Sequence, residues 1–294
     1  MNKDRKIILF TNVRRDAGFV MTRRVGEMLR KCGKSAVICP VFDDNTIPYV
    51  PPPDIEMAKI ENELSSAEMI ITFGGDGTIL RAARSATYYG VPILGINLGG
   101  KGFIAELEAA DIGLINKAVT YGYEIENRMM LDVEVMRGDK TICRDFALND
   151  IVVKGDNKVI DLTLSGDGQR ISHFSGDGAV IATPTGSTAY SMAAGGPIVE
   201  PAAHNIIITP ICAHTLEAKS FVLISDRRVS VEISYRKHNP AYMSVDGGEH
   251  RGINCGDIIN VCKSAKYTRL VRLSNRSFYK KVSEKLGERI IAGN

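Results

Sequence analysis

The chain has 294 residues, which at about 150 residues per domain leaves room for two domains with cores of their own and excludes a mini-protein. Hydrophobic residues at 44% and charged residues at 24% are ordinary for a globular chain and exclude one dominated by disorder. Net charge is +3, from 37 basic and 34 acidic residues, short of the basic signature of a duplex-binding domain, so no nucleic-acid partner is expected.

Arg14 and Arg15 interrupt the first apolar run, so no signal peptide is read there, and no stretch reaches the roughly 18 apolar residues of a membrane span. A soluble, cytoplasmic protein without a membrane partner is expected. From the start to about residue 120, short apolar runs (KIILFTN, SAVIC, EMIITF, VPILGINL) alternate with amphipathic stretches at 16–32, 54–64, 77–89 and 110–120, the pattern of a βα repeat. In the first helix Asp16 is the expected N-cap, residues 21, 25, 28 and 32 the apolar stripe, and Gly33 the stop. Runs such as EMIITF lack polar alternation, as in a parallel sheet covered on both faces. The proline-rich 47–54 segment reads as a surface connection.

After Tyr123 the runs become short and β-like, separated by turn dipeptides: MMLDVEVM, TICRDFAL, NDIVVK, VIDLTLS, QRISHF, AVIATP, FVLIS, VSVEIS, AYMSVD, DIINVC and TRLVRL. They predict antiparallel hairpins and two packed sheets, and Ser165-Gly-Asp-Gly and Ser175-Gly-Asp-Gly read as two hairpin ends. A last amphipathic stretch, RSFYKKVSEKLGERI, predicts a helix returning to the first domain. The expected fold is thus α/β plus all-β: a Rossmann-like α/β domain of residues 1–125 plus 270–294, and a β-sandwich domain of residues 126–269. The six cysteines form no CxxC and the five histidines have no zinc-ligand spacing; reduced, mostly buried thiols are expected, and Cys212 with His214 is too small a cluster for a metal site.

Chemistry concentrates in a few loops. Gly74-Gly75-Asp76-Gly77-Thr78 follows a strand and opens a helix, so its backbone N–H groups suit a phosphate. A carboxylate in that cradle would repel phosphate unless it accepted a hydroxyl proton or held a magnesium ion, which points to phosphoryl transfer; a plain Asp-Gly turn is the alternative. There is no GxGxxG, so an ordinary Rossmann dinucleotide site is unsupported, and the glycine run ending at Gly100-Lys101 has Gly102 where a P-loop needs Ser or Thr, so the P-loop reading fails; Lys101 is either a phosphate contact or a solvated loop lysine. Asn149-Asp150 offers an amide and a carboxylate to polar groups such as ribose hydroxyls. The 183–191 segment, TPTGSTAYS, offers hydroxyls and an aromatic ring, and Asp177 is a turn residue or a ligand contact.

Taken jointly, GGDGT at 74–78, INLGGKGF at 96–103, NRMML at 127–131, ALND at 147–150, SGDG at 175–178, TPTGSTAYS at 183–191, AGGPIV at 194–199 and VDG at 245–247 resemble the bacterial NAD kinases in order and approximate spacing. The first motif is shared with diacylglycerol-type lipid kinases and, loosely, phosphofructokinases; the 183–191 motif is much more specific. The resemblance implies transfer of the terminal phosphate of ATP to the 2′-hydroxyl of the adenosine ribose of NAD, giving NADP, with Mg2+ or Mn2+ on the donor phosphates. By that similarity Asp76 is the general base. Gly74, Gly75, Gly77, Thr78 and Lys101 meet phosphate. The dinucleotide is held by Asp76, Gly77, Phe103, Asn149, Asp150 and Asp177, and by Thr185, Thr188, Ala189, Tyr190, Ser191 and Cys212. Two departures stand out: Ser175 and Gly248 occupy positions where many bacterial relatives carry Arg and Gln. The family resemblance also implies a homotetramer in which a neighbour contributes part of the pocket through 208–216, although Ile206–Ile211 reads equally as an ordinary core strand. The competing functions are a lipid or sphingoid-base kinase of the same fold and a non-catalytic NAD(P)-binding sensor.

Overall fold

The computed structural model describes residues 5–42, 52–100, 102–214, 218–234, 240–273 and 277–291. The chain divides into two units, Met1–Asn127 with Thr268–Asn294, and Arg128–Tyr267. In the first unit, parallel strands β1 (Lys6–Asn12), β2 (Ala36–Val41), β3 (Ala67–Gly74) and β4 (Ile93–Asn97) lie in the order β4-β3-β1-β2, and β5 (Leu107–Glu108) extends β4. Helices α1 (Val20–Lys31), α2 (Ile60–Glu63), α3 (Asp76–Tyr89) and α4 (Leu114–Tyr121) connect them. Ile7 and Leu9 pack with Val25 and Leu29 of α1 and Ile115 of α4. Ile8 and Ile70 point the other way and are also fully buried, which is why these strands carry no polar alternation.

Three local expectations shift. Helix α1 begins at Val20, not at residue 16, because Gly18 (φ 69°) and Phe19 (φ 58°) take left-handed conformations and break the first turn. Asp16 still caps it from a distance, accepting the N–H groups of Met21 (2.9 Å) and Thr22 (2.8 Å). The fully buried stripe is accordingly Thr22, Val25 and Leu29, and Cys32 is exposed. The 54–64 helix shrinks to Ile60–Glu63, because the preceding residues run beside β2, with Met57 bridged to Ile38 and Ala58 N–H donating to Ile38. Most of the 47–54 connection lies outside the described residues.

In the second unit, β6 (Glu124–Arg137) and β7 (Lys140–Ala147) form the expected hairpin. Then come β8 (Asp150–Gly155), β9 (Ile160–Gly166), β10 (Gln169–Gly176), β11 (Gly178–Ala182), a short helix α5 (Tyr190–Ala193), β12 (Asn205–Ile211), β13 (Phe221–Ile224), β14 (Val229–Ser234), β15 (Ala241–Val245), β16 (Arg251–Ile253) and β17 (Asp257–Arg272). One sheet runs β10-β9-β14-β17-β6-β7 and the other β13-β12-β11-β8-β15-β16. Leu131, Val133, Leu162 and Val231 of the first share a core with Ile151, Val153, Ile181 and Ile208 of the second. DIINVC and TRLVRL are one continuous strand, β17. Of the two SGDG segments only 165–168 closes a hairpin; 175–178 carries the chain from one sheet to the other.

The end of β17 pairs with β4 in the first unit, Leu270 opposite Ile93, and α6 (Phe278–Ile291) follows there, Lys281 Nζ reaching the Ala105 carbonyl at 2.8 Å. The thiols are free but not mostly buried: Cys39 is buried, Cys143 and Cys262 are intermediate, and Cys32, Cys212 and Cys255 are exposed. Burial pushes the Cys39 thiol up to about 12. Among the described residues no helix is long and apolar enough to cross a membrane.

Candidate functional site

In the first unit the parallel sheet ends at the Gly74-Gly75 turn, and Asp76 is the first residue of α3. The side chain of Asp76 is pinned: Phe103 N–H donates to Oδ2 at 2.7 Å and Ile104 N–H to Oδ1 at 3.2 Å. The backbone must come close for this, and only glycine fits at 102, where a Cβ would stand 2.8 Å from Asp76 Oδ1. Burial raises the Asp76 carboxyl above the ordinary carboxylate value, opposed by the amides of Phe103, Ile104 and Ala105 and by the charge of Lys281. The result is a carboxylate with raised proton affinity at a helix N-terminus. Gly75 and Gly77 face open space, leaving the turn accessible, whereas Thr78 is buried. Lys101 lies outside the described residues.

In the second unit the chain switches sheets between Ala147 and Asp150, and Asn149-Asp150 sits on that corner. Asp246 holds the corner: its carboxylate accepts the N–H groups of Leu148 (2.8 Å), Asn149 (2.7 Å) and Asp150 (3.0 Å). Burial and the adjacent Asp246 charge push the Asp150 carboxyl up to about 7. Asn149 is 7% exposed, and its Oδ1 finds no hydrogen-bond partner among the described residues.

The 183–191 loop folds onto this corner. Thr183 N–H donates to Asn149 O at 2.9 Å and its hydroxyl to Leu148 O at 2.6 Å. Gly186 lies so close that a Cβ would come within 2.1 Å of Asn149 O. The loop hydroxyls are largely committed to the fold: Ser187 to Pro184 O, Thr188 to Thr185 O, and Ser191 to Thr209. Tyr190 is the exposed side chain of the set, with Ala189 half-buried beside it. Thr185 Oγ1 accepts a bond of 3.1 Å from Nη1 of buried Arg128.

Asp177 and Cys212 are not part of that cluster. They lie at the far end of the same sheet, where Asp177 O accepts from Gly155 N–H and Cys212 follows the last residue of β12. Asp150 and Gly155 mark the two ends of β8, about 17 Å apart by strand rise. Cys212 is exposed and left-handed (φ 45°), while Ile206, Ile207 and Ile208 before it are fully buried in an interior strand. Ser175 donates to Asp161, so this serine is tied into its own sheet.

Two residues of this architecture carry roles that sequence reasoning missed. Asp246 stands in an Asp-Gly turn, a visible signal, but nothing local says that its carboxylate serves residues 96 to 98 positions earlier. Arg128 in NRMML gave no sign that its guanidinium would be buried under Thr185. Among the described residues no group of three or more His, Cys, Asp or Glu side chains is placed to hold a metal ion.

Comparison with known proteins identifies the family of both domains. The ATP-NAD kinase N-terminal domain matches residues 11–123 and the ATP-NAD kinase C-terminal domain residues 148–273. The NAD kinase of Ruminiclostridium cellulolyticum is 36% identical over 97% of this chain and 99% of its own length. An NAD kinase from Archaeoglobus fulgidus, solved in complex with ATP, superposes with a TM-score of 0.72 at 25% identity, covering 96% of this chain and 98% of that one. Yeast NADH kinase, solved with NADH, shares the fold at a TM-score of 0.82 and 24% identity, over 97% of this chain and 88% of that one. With both domain families matched and full-length identity above one third, the chain belongs to the ATP-NAD kinase family.

Proposed function

We propose that this enzyme transfers the terminal phosphate of ATP to the 2′-hydroxyl of the adenosine ribose of NAD. In that step the 2′-oxygen bonds to the γ-phosphorus, the bond from that phosphorus to the β–γ bridging oxygen breaks, ADP leaves, and the hydroxyl proton passes to Asp76. The observation that carries the reading is the Asp76 carboxylate, fixed by the N–H groups of Phe103 and Ile104 beside an open glycine turn and made more basic by burial. Gly74, Gly75, Gly77 and the start of α3 take donor phosphate, with Thr78 bracing the turn from inside and Lys101 as a further phosphate contact.

Asn149 and Asp150 grip the dinucleotide, the unpartnered Asn149 Oδ1 accepting a bond from a ribose hydroxyl. Thr185, Thr188, Ala189 and Ser191 shape the pocket wall, and Tyr190 offers its ring to a base. A divalent ion, Mg2+ or Mn2+, brought in by the ATP phosphates rather than held by a side-chain cluster of the described residues, would neutralise their charge. Asp177 and Cys212, a strand length away from Asn149, serve the pocket of a second copy in a homotetramer, with the 208–216 segment at the contact; Thr215 and Leu216 of it lie outside the described residues. The absence of a long apolar helix among the described residues fits a cytoplasmic enzyme. Purified protein supplied with NAD, ATP and Mg2+ should yield NADP and ADP in equal amounts. No NADP with ATP or polyphosphate, or phosphorylation of lipid vesicles instead, overturns the proposal.

A further inference from the structure

Strands β4, β3 and β1 are adjacent and parallel, so the turns leaving them, at 98–100, 74–77 and 13–16, are neighbours along one edge of the sheet. The two outer turns are built alike. Asn12 Oδ1 accepts the N–H groups of Arg14 (3.1 Å) and Arg15 (3.2 Å) at the end of β1, and Asn97 Oδ1 accepts Gly99 N–H (3.1 Å) at the end of β4. Asn97 is further fixed through Nδ2 to Glu108 at 2.9 Å. Between these two rigid turns stands the open Gly74-Gly75 turn that leads into α3.

The Arg15 side chain starts on the β1 turn and ends on the β4 turn. A Cβ placed on Gly99 would lie 3.4 Å from Arg15 Nη1 and 3.7 Å from its Cζ. Since β1 and β4 are two strand spacings apart, about 10 Å, the side chain crosses the mouth of β3 to reach Gly99. A long cation held across a gap needs something to hold it, and Arg15 is exposed with no side-chain hydrogen bond or ion pair among the described residues. Asp76, the acid of the turn after β3, accepts the N–H groups of Phe103 and Ile104 and makes no ion pair with Arg15.

We propose that Arg15 is a donor-phosphate binding residue, its guanidinium bridging phosphoryl oxygens of the ATP triphosphate held at the Gly74-Gly75 turn. The planar fork of an arginine matches two phosphoryl oxygens at once, which a lysine ammonium cannot reproduce. The inference rests on the phosphotransferase reading and refines it by naming a ligand for the triphosphate rather than for NAD.

Two measurements test it on the full chain. In steady-state kinetics Arg15→Ala should raise the KM for ATP about 10- to 100-fold, the loss of one charge-assisted contact, and leave the KM for NAD within about twofold. Arg15→Lys should recover part of that loss. Arg14→Ala, removing a neighbouring positive charge from the same turn, should shift the KM for ATP by less than about threefold. Calorimetric titration with tripolyphosphate and Mg2+ should show the same order of affinities without requiring turnover. A wild-type chain that binds tripolyphosphate through Arg15 yet makes no NADP would sink the kinase reading and keep the phosphate site. Unchanged tripolyphosphate affinity and ATP KM in Arg15→Ala, or equal losses in Arg14→Ala and Arg15→Ala, overturns the assignment in favour of a diffuse positive field.

Discussion

Replacing Asp150 by Asn should stabilise the protein at neutral pH and above, and the effect should vanish in acid. The carboxyl of Asp150 is 5% exposed and faces the Asp246 charge, and together burial and that neighbour push it up to about 7 from 3.8. Between these values the native chain holds a proton that the unfolded chain has released. Stability contributed by that proton is therefore complete below pH 4 and lost as pH rises through about 7. A shift of about 3 units at 1.36 kcal/mol per unit sets the swing at about 4 kcal/mol. Asn has the shape of the neutral acid and cannot ionise, so the difference in stability between Asp150→Asn and wild type should grow by about 4 kcal/mol from pH 4 to pH 8. At about 3 °C per kcal/mol this is a change of about 10 °C in the melting-temperature difference. Thermal melts of both proteins at fixed ionic strength across that range read it directly. Asp246→Asn provides a second arm: the overall stability falls because an amide accepts the three N–H groups less strongly, but the pH dependence assigned to Asp150 should shrink. A difference between Asp150→Asn and wild type that stays flat with pH, or grows towards acid, would refute the electrostatic account of this corner.

Asp76→Asn should cut kcat by at least a thousandfold while NAD affinity stays within about tenfold, and activity within tenfold of wild type would remove Asp76 from the role of base. Because the base must be deprotonated and burial raises its carboxyl, the acid limb of the wild-type kcat/KM profile should rise with pH at a higher value than an ordinary carboxylate gives. Gly102→Ala puts a Cβ 2.8 Å from Asp76 Oδ1 and should lower kcat at least tenfold with little change in melting temperature; wild-type kcat would show that the close approach does not matter. Cys212→Arg should lower the oligomeric order by light scattering and raise the KM for NAD together, whereas dissociation with unchanged NAD affinity would make each pocket complete within one chain.

Much of this molecule is legible in the order of its residues because the signals are local. The unbroken apolar runs of β1 and β3 state that both faces are covered, and Gly-Gly-Asp-Gly after β3 places a carboxylate at a helix start. What was not legible depends on contacts distant in sequence or on backbone geometry that no pattern encodes. Helix α1 starts four residues late because Gly18 and Phe19 adopt left-handed conformations, and the apolar stripe rotates with it. Asp16 looked like a local cap and is one, yet it reaches Met21 and Thr22 across that kink. The roles of Asp246 and Arg128 arise from sheet pairing and tertiary packing, so motif spacing alone carries no trace of them.

The hydroxyl-rich loop shows that residue type alone does not tell which hydroxyls serve the fold. Thr183, Ser187, Thr188 and Ser191 invite a reading in which each hydroxyl faces a ligand, yet each already has a partner inside the fold. Their work is to hold the loop against the Asn149 corner, and the close approach at Gly186 makes that contact tight. The amide oxygen of Asn149, by contrast, is buried and has no hydrogen-bond partner among the described residues. An unpaired buried carbonyl costs about 1–3 kcal/mol, and a chain whose neighbouring hydroxyls are all satisfied has the means to supply a donor there. An amide oxygen so placed, beside hydroxyls already committed to the fold, supports the proposed reading in which Asn149 accepts a bond from a ribose hydroxyl.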